Sequence, residues 1–266
     1  MTLEETMREL ERLGTEQTRK TYLRHGAPPP LSGVNFGPLT VLKKRLGTDT
    51  GLARALWASG HAEARFLATM VVDAPAMPWK ELDAWAKGLD WHTLTDVFVT
   101  NVVQRSPHAA KALTWTQSKS EWVGRAGWQS LAVLLTKTAV LEDEDLLPWV
   151  KRIEAELPGA KNRVREAMNS ALIALGATGG ALQTAALATA KRLGKVEVDH
   201  GDTACETPDA ARYIQKIQAR KQARAPAKAG SAASPPKQKP AAAKKPAAKK
   251  AAAKKAVAPS RTRPRA

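Results

Sequence analysis

Apolar residues recur at spacings of three and four along most of the chain: Leu52, Leu56 and Trp57; Leu67, Met70 and Val71; Leu131, Leu134 and Leu135; Leu172, Ile173 and Leu175. A helix turns once in about 3.6 residues, so this spacing gathers apolar side chains on one face, while the alternation of a half-buried strand is nearly absent. Helix-breaking signals fall at residues 26–30 (Gly-Ala-Pro-Pro-Pro), 46–49, Gly60, Ser106-Pro107, 157–159 and 178–180. Together these predict about ten helices of roughly 10 to 17 residues joined by short turns.

Three of the predicted helices look alike, beginning at Glu63 (EARFLA), Arg125 (RAGWQS) and Arg165 (REAMNS). Separations of about 60 and about 40 residues suit helix pairs stacked as an all-α, HEAT-like α-solenoid, with one less distinct pair between the first two. A closed helical bundle is the alternative. Stacked pairs create a concave face, and such a face can hold a duplex.

The charge is unevenly distributed. Of 42 Lys and Arg against 25 Asp and Glu, fifteen cations lie between Ala219 and Ala266, where there is no acid. Residues 1–218 are therefore nearly neutral, with 27 cations against 25 acids, and chemistry there must come from local placement. The Lys-, Ala- and Pro-rich stretch from 219 to 266 has almost nothing large and apolar to bury, and it is expected to be disordered when free. Its lysine pairs Lys244-Lys245, Lys249-Lys250 and Lys254-Lys255 suit sequence-independent neutralisation of phosphates. The single Cys205 excludes an internal disulfide framework. The start of the chain lacks a signal-peptide pattern, and no apolar run is long enough to span a membrane. A cytoplasmic or nucleoid-associated monomer that does not engage membranes is the expectation.

Candidate chemistry centres on two helical words. In the first, Trp91-His92-Thr93-Leu94-Thr95-Asp96, His92 and Asp96 are four apart and share a face, with Trp91 about a quarter-turn away. A carboxylate beside an aromatic wall can stabilise positive charge developing opposite it. Alternatively, Asp96 pairs with a neighbouring cation and Trp91 is core. In the second, Trp122 and Arg125 are three apart, with Trp128 a turn further on. The planar fork of an arginine suits phosphate, while the small Gly124, Ala126 and Gly127 permit close approach of another backbone. The competing assignment has Arg125 bridging to a carboxylate such as Asp96.

A polar stretch holds His200, Cys205, Asp199, Asp202 and Glu206 and leads to a helix expected to be capped by Thr207. A metal site needs three or four converging ligands, and one Cys and one His without a second pair do not supply them. A loop capping the last helix accounts for the same residues. No metal and no cofactor are expected.

The ordered series GVNFGPLTVLKKRLG (33–47), LWASGHAEARFLA (56–68), the Trp91-to-Asp96 helix, WVGRAG (122–127), AMNSALIALG (167–176) and AKRLGKVEVDHGDTACETPDAARYI (190–214) resembles bacterial AlkD-like DNA alkylation repair proteins, the HEAT-repeat DNA glycosylases. The resemblance covers roughly residues 5–217. It implies a duplex-binding solenoid that releases cationic N3- or N7-alkylated purines, with double-stranded, alkylated DNA as partner. Asp96 then corresponds to the catalytic aspartate and Arg125 to its supporting arginine, while Trp91, His92, Trp122 and Trp128 contact substrate. Two positions depart from the pattern. The family's tryptophan stands four residues before the aspartate, where this chain has His92, and a later family tryptophan corresponds to Ser170.

Overall fold

The computed structural model describes residues 1–137 and 143–229. All regular structure among them is helical: α1 (Leu3–Leu13), α2 (Glu16–Arg24), α3 (Phe36–Leu46), α4 (Thr50–Ala58), α5 (Ala62–Val71), α6 (Trp79–Lys87), α7 (His92–Asn101), α8 (Glu121–Lys137), α9 (Asp143–Glu156), α10 (Asn162–Thr178), α11 (Gly180–Leu193) and α12 (Ala210–Ala229), with short 3-10 turns between some of them. The solenoid reading holds, and the chain has a HEAT-like helical-repeat fold.

Four helices, α5, α7, α8 and α10, form an inner row, each packed on the next. The three look-alike segments fall on α5, α8 and α10, and α7 stands in the row between the first two. Outer partners are α4 on α5, α6 on α8, and α11 on α10, with α9 joined to both α10 and α11. Opposite the middle of α8 the outer element is a 3-10 segment, Lys111–Gln117. It lies so close that a side chain on Gly127 would sit 2.3 Å from the Thr116 amide nitrogen. The small residue there serves packing between repeats.

Two hydrophobic clusters meet on α8. Val123 and Ala126 belong to the first, with Leu10 through Val103 and the two residues Ala112 and Trp115; Trp128 and Leu131 begin the second, which runs to Ile214. At the start of the row α5 is almost wholly buried, because the segment before α3 lies across it. The fully buried Glu63 carboxylate accepts the amides of Ser32, Gly33 and Val34 at 3.1, 2.6 and 2.9 Å. Three charge-assisted bonds satisfy an anion that would be very costly to bury alone.

The last helix begins later than the sequence suggests. Asp209, whose carboxylate accepts the Arg212 amide at 2.8 Å, occupies the cap position expected for Thr207. The Thr207 hydroxyl instead lies 3.0 Å from His200 Nε2, and the Pro208 carbonyl accepts from Asn169, so residues 207–208 are tied to α10 and its loop before the first turn forms. From there α12 continues past Gln218 to Ala229. Residues 1–225 form one compact unit. The lysine pairs at 244–245, 249–250 and 254–255 lie outside the described residues.

Candidate functional site

Equivalent positions on stacked helices come side by side, and the fifth residue of each inner helix defines a row: Phe66, Asp96, Arg125 and Glu166. At the first place the row is apolar, and Phe66 packs against Tyr22, Phe36 and Trp91. The other three form an alternating charge ladder. Arg125 donates through Nε and Nη2 to the two oxygens of Asp96 at 3.0 and 2.8 Å, and through Nη1 to Glu166 at 2.8 Å and the Arg163 carbonyl at 3.0 Å. Glu166 also accepts from Arg163 at 3.0 Å, and Arg163 contacts His200 Nδ1 at 3.2 Å. The ladder therefore spans α7, α8, α10 and the loop before α12.

Exposure separates the members. The Arg125 side chain is 5% exposed and that of Glu166 21%, whereas Asp96 retains 35%. Each nitrogen of the Arg125 guanidinium donates within the protein, four of its five N–H bonds in all, so its planar fork is committed to Asp96 and Glu166. Arg125 thus acts on Asp96, fixing the direction of its carboxylate. Both Asp96 oxygens accept N–H bonds, the pattern of an ionised carboxylate. Burial pushes the Asp96 pKa above its ordinary value while Arg125 pulls against it. For Arg125, burial disfavours the charge but Asp96 and Glu166 outweigh it, holding the guanidinium above its ordinary range. Burial also raises Glu166, and Arg125 and Arg163 more than reverse it.

His92 lies beside this ladder, one turn before Asp96. Burial, then the charges of Arg163 and Arg125, lower its pKa to about 4, so it presents a neutral ring at pH 7. The His25 ring is 6.5 Å away. Trp122, half-buried on the first turn of α8, packs against the first hydrophobic cluster, and among the described residues no ring or cation is stacked on it.

The other seven tryptophans are packing residues. Trp57 stacks on Trp85 at 4.2 Å and Trp79 on Trp115 at 5.3 Å, while Trp128 meets Trp149 edge-on at 5.6 Å. Trp91 is 2% exposed, touches Tyr22 and Phe66, and donates its indole N–H to the His25 carbonyl at 2.8 Å. Trp128 is 1% exposed, with the Arg152 guanidinium 4.9 Å above its ring. The substrate-contact roles expected for Trp91 and Trp128 are therefore corrected: both rings are consumed by the core. Ser170 is half-buried one turn beyond Glu166, its hydroxyl donating to the Glu166 carbonyl at 3.1 Å.

Of the expected site residues, Asp96 and Arg125 are joined directly and His92 lies within the field of Arg125, whereas Trp122 packs against the first hydrophobic cluster. Glu166, Arg163 and His200 were not anticipated as members of the site. The look-alike words align Arg125 with Arg165; the register of Arg125 with Glu166 appears only when the residues are counted from the starts of α8 and α10. The loop acids and Cys205 form no metal cluster; among the described residues no group of three potential ligands converges. A cleft of about 700 Å³ lies between residues 116–120 and 159–161, lined by Lys119, Lys161, Arg152 and Trp128, and it contains none of the ladder residues.

Among the described residues no helix is long and apolar enough to cross a membrane. The chain is 29% identical over 226 residues to an uncharacterised protein of Listeria monocytogenes, covering 83% of this chain and 99% of that one. A counterpart in Listeria innocua is 28% identical with the same coverage. A solved structure described as a new family of proteins related to the HEAT-like repeat DNA glycosylases with affinity for branched DNA structures is 28% identical, covers 83% of this chain and 95% of its own, and superposes with a TM-score of 0.76. The pattern of the family described as DNA alkylation repair enzyme matches residues 6–214, and the chain belongs to that family.

Proposed function

We propose that this protein binds duplex DNA along the inner helical row and hydrolyses the N-glycosidic bond of cationic N3- or N7-alkylated purines. The observation that carries this reading is the setting of Asp96: a carboxylate one-third exposed, with both oxygens accepting from a bidentate arginine that is itself buried and aims it. An alkylated purine already carries positive charge. When its C1′–N bond breaks, the electron pair leaves with the base and neutralises it, so no strong general acid is required. Positive charge then develops on the sugar, where a fixed anion contributes most. Water captures the sugar cation and releases a proton to solvent. Arg125 is a positioning residue in this scheme, and neutral His92 and half-exposed Trp122 line the approach.

The test is release of methylated purine from alkylated duplex. Loss of a preorganised electrostatic group typically costs about 10²- to 10³-fold in rate, so Asp96→Asn is expected to fall by that factor with DNA affinity retained. Equal rates in wild type and variant remove Asp96 from the mechanism.

Binding without base release is the second reading. It is favoured by the burial of Trp91 and by the affinity for branched DNA described for the related solved structure. It predicts no detectable base release by the wild type and tighter binding to a four-way junction than to linear duplex of equal length. In either reading the segment from residue 219 onward adds sequence-independent contact to phosphates.

A further inference from the structure

Helix α12 runs on to Ala229, beyond residue 214 where the family match ends. Cations recur in it at a strict spacing of four, Arg212, Lys216, Arg220, Arg224 and Lys228, and the helix contains no acid from Ala210 to Ala229. Four residues advance about 6 Å along a helix and rotate it by about 40°, so Arg212, Lys216 and Arg220 together span about 80° and share one side.

The docking of α12 fixes which way the start of this strip faces. Ile214 is fully buried against Gly176, where any side chain would meet the Ile214 Cδ1 at 2.5 Å. Gln218 donates to the Gly176 and Ala177 carbonyls at 3.1 and 3.2 Å, and Lys221 reaches the Ala177 carbonyl. These contacts occupy one half of the helix. Arg212, Lys216 and Arg220 occupy the opposite half and are all exposed. Among the described residues none makes an ion pair; the Lys216 ammonium lies 5.7 Å above the Tyr213 ring. Lys195 joins Arg212 and Lys216 around a cleft of about 520 Å³ that Glu206 and Asp209 also line.

A row of exposed cations on a rigid helix, attached to a body that is otherwise nearly neutral, matches a polyanion of regular charge spacing. We infer that Arg212, Lys216 and Arg220 form a fixed docking strip for the phosphodiester backbone of nucleic acid, continued in sequence by Arg224 and Lys228. This rests on the reading that the protein binds DNA. It adds an ordered contact at a defined place on the folded body, distinct from the lysine pairs further along the chain.

The experiment measures affinity of the full-length protein for undamaged linear duplex between 50 and 200 mM salt. Each phosphate contact contributes about 0.9 to the slope of log affinity against log salt. The Arg212→Gln/Lys216→Gln/Arg220→Gln variant should lower that slope by up to about 2.7, so that it loses roughly forty-fold less affinity than wild type over this range. A second variant, Arg212→Lys/Arg220→Lys, keeps all three charges in place, and the strip predicts that it retains the wild-type slope. A wild-type slope in the first variant, or a slope in the second as low as in the first, overturns the strip alone. Failure of the wild type to bind duplex sinks the DNA reading and the strip with it.

Discussion

Replacing Arg125 with methionine keeps a flexible side chain of similar length and removes the centre of the charge ladder. Three groups lose partners. Asp96 loses both of its N–H donors, Glu166 loses one and keeps Arg163, and the Arg163 carbonyl loses its side-chain donor. Breaking a buried ion pair from one side typically costs about 3 to 5 kcal/mol, because the remaining charge is stranded. Asp96 is one-third exposed and recovers some hydration, and Glu166 retains a cation, so the expected loss is about 2 to 4 kcal/mol. For a domain of this size that corresponds to a fall in Tm of roughly 5 to 15 °C.

Urea unfolding of wild type, Arg125→Met, Asp96→Asn and the double variant measures this directly. The double variant should be more stable than the sum of the single losses implies, with a coupling of about 1 to 3 kcal/mol, because neutralising Asp96 removes the stranded anion. Arg125→Lys separates charge from geometry. A lysine keeps the charge but loses the planar two-point grip, so it should restore part of the stability while base release stays depressed through misdirection of Asp96. A loss below about 1 kcal/mol for Arg125→Met, additive with Asp96→Asn, would refute the argument that this pair is a buried, mutually dependent unit.

Glu63→Ala strands three buried amides and is expected to cost about 3 to 5 kcal/mol, read as a drop in the urea midpoint; a change under 1 kcal/mol contradicts the packing described for residues 32–34. His92 gives a pH signature. Its folded pKa of about 4 lies below the ordinary 6.5, so between those values the unfolded chain holds a proton that the folded one refuses. Stability from this group is complete above pH 6.5 and is lost as pH falls toward 4. At about 1.4 kcal/mol per unit, discounted for partial exposure, wild type should lose about 2 kcal/mol more than His92→Gln across that window. Parallel pH profiles for the two proteins would remove the assignment. His61, lowered chiefly by burial, acts in the same direction and is present in both.

The helical class and the stacked repeat were legible because both follow from local periodicity and from small residues where helices must touch, as at Gly127 and Gly176. The pairing of Asp96 with Arg125 was legible as one of two alternatives, and the structure joins them: the arginine bridges to the carboxylate and still leaves that carboxylate partly open. The tryptophans misled for a physical reason. A repeat protein has no single central core, and each interface between layers needs its own large apolar filler, so aromatic residues accumulate wherever outer helices are short. Trp57, Trp85, Trp79 and Trp115 fill such a place beside the abbreviated 3-10 segment, with Arg65 and Lys111 stacked on Trp57 and Trp79 at the two ends. Density of aromatics along the sequence therefore reports layer packing here, and the site is marked instead by polar residues at one repeated helix position. That criterion selects Asp96, Arg125 and Glu166 together, and it brings Trp122 and Arg163 in as their neighbours one position class earlier. It also explains why His92 is informative: it stands on the same face as Asp96, four residues before it, where the charges of Arg163 and Arg125 help to lower its pKa.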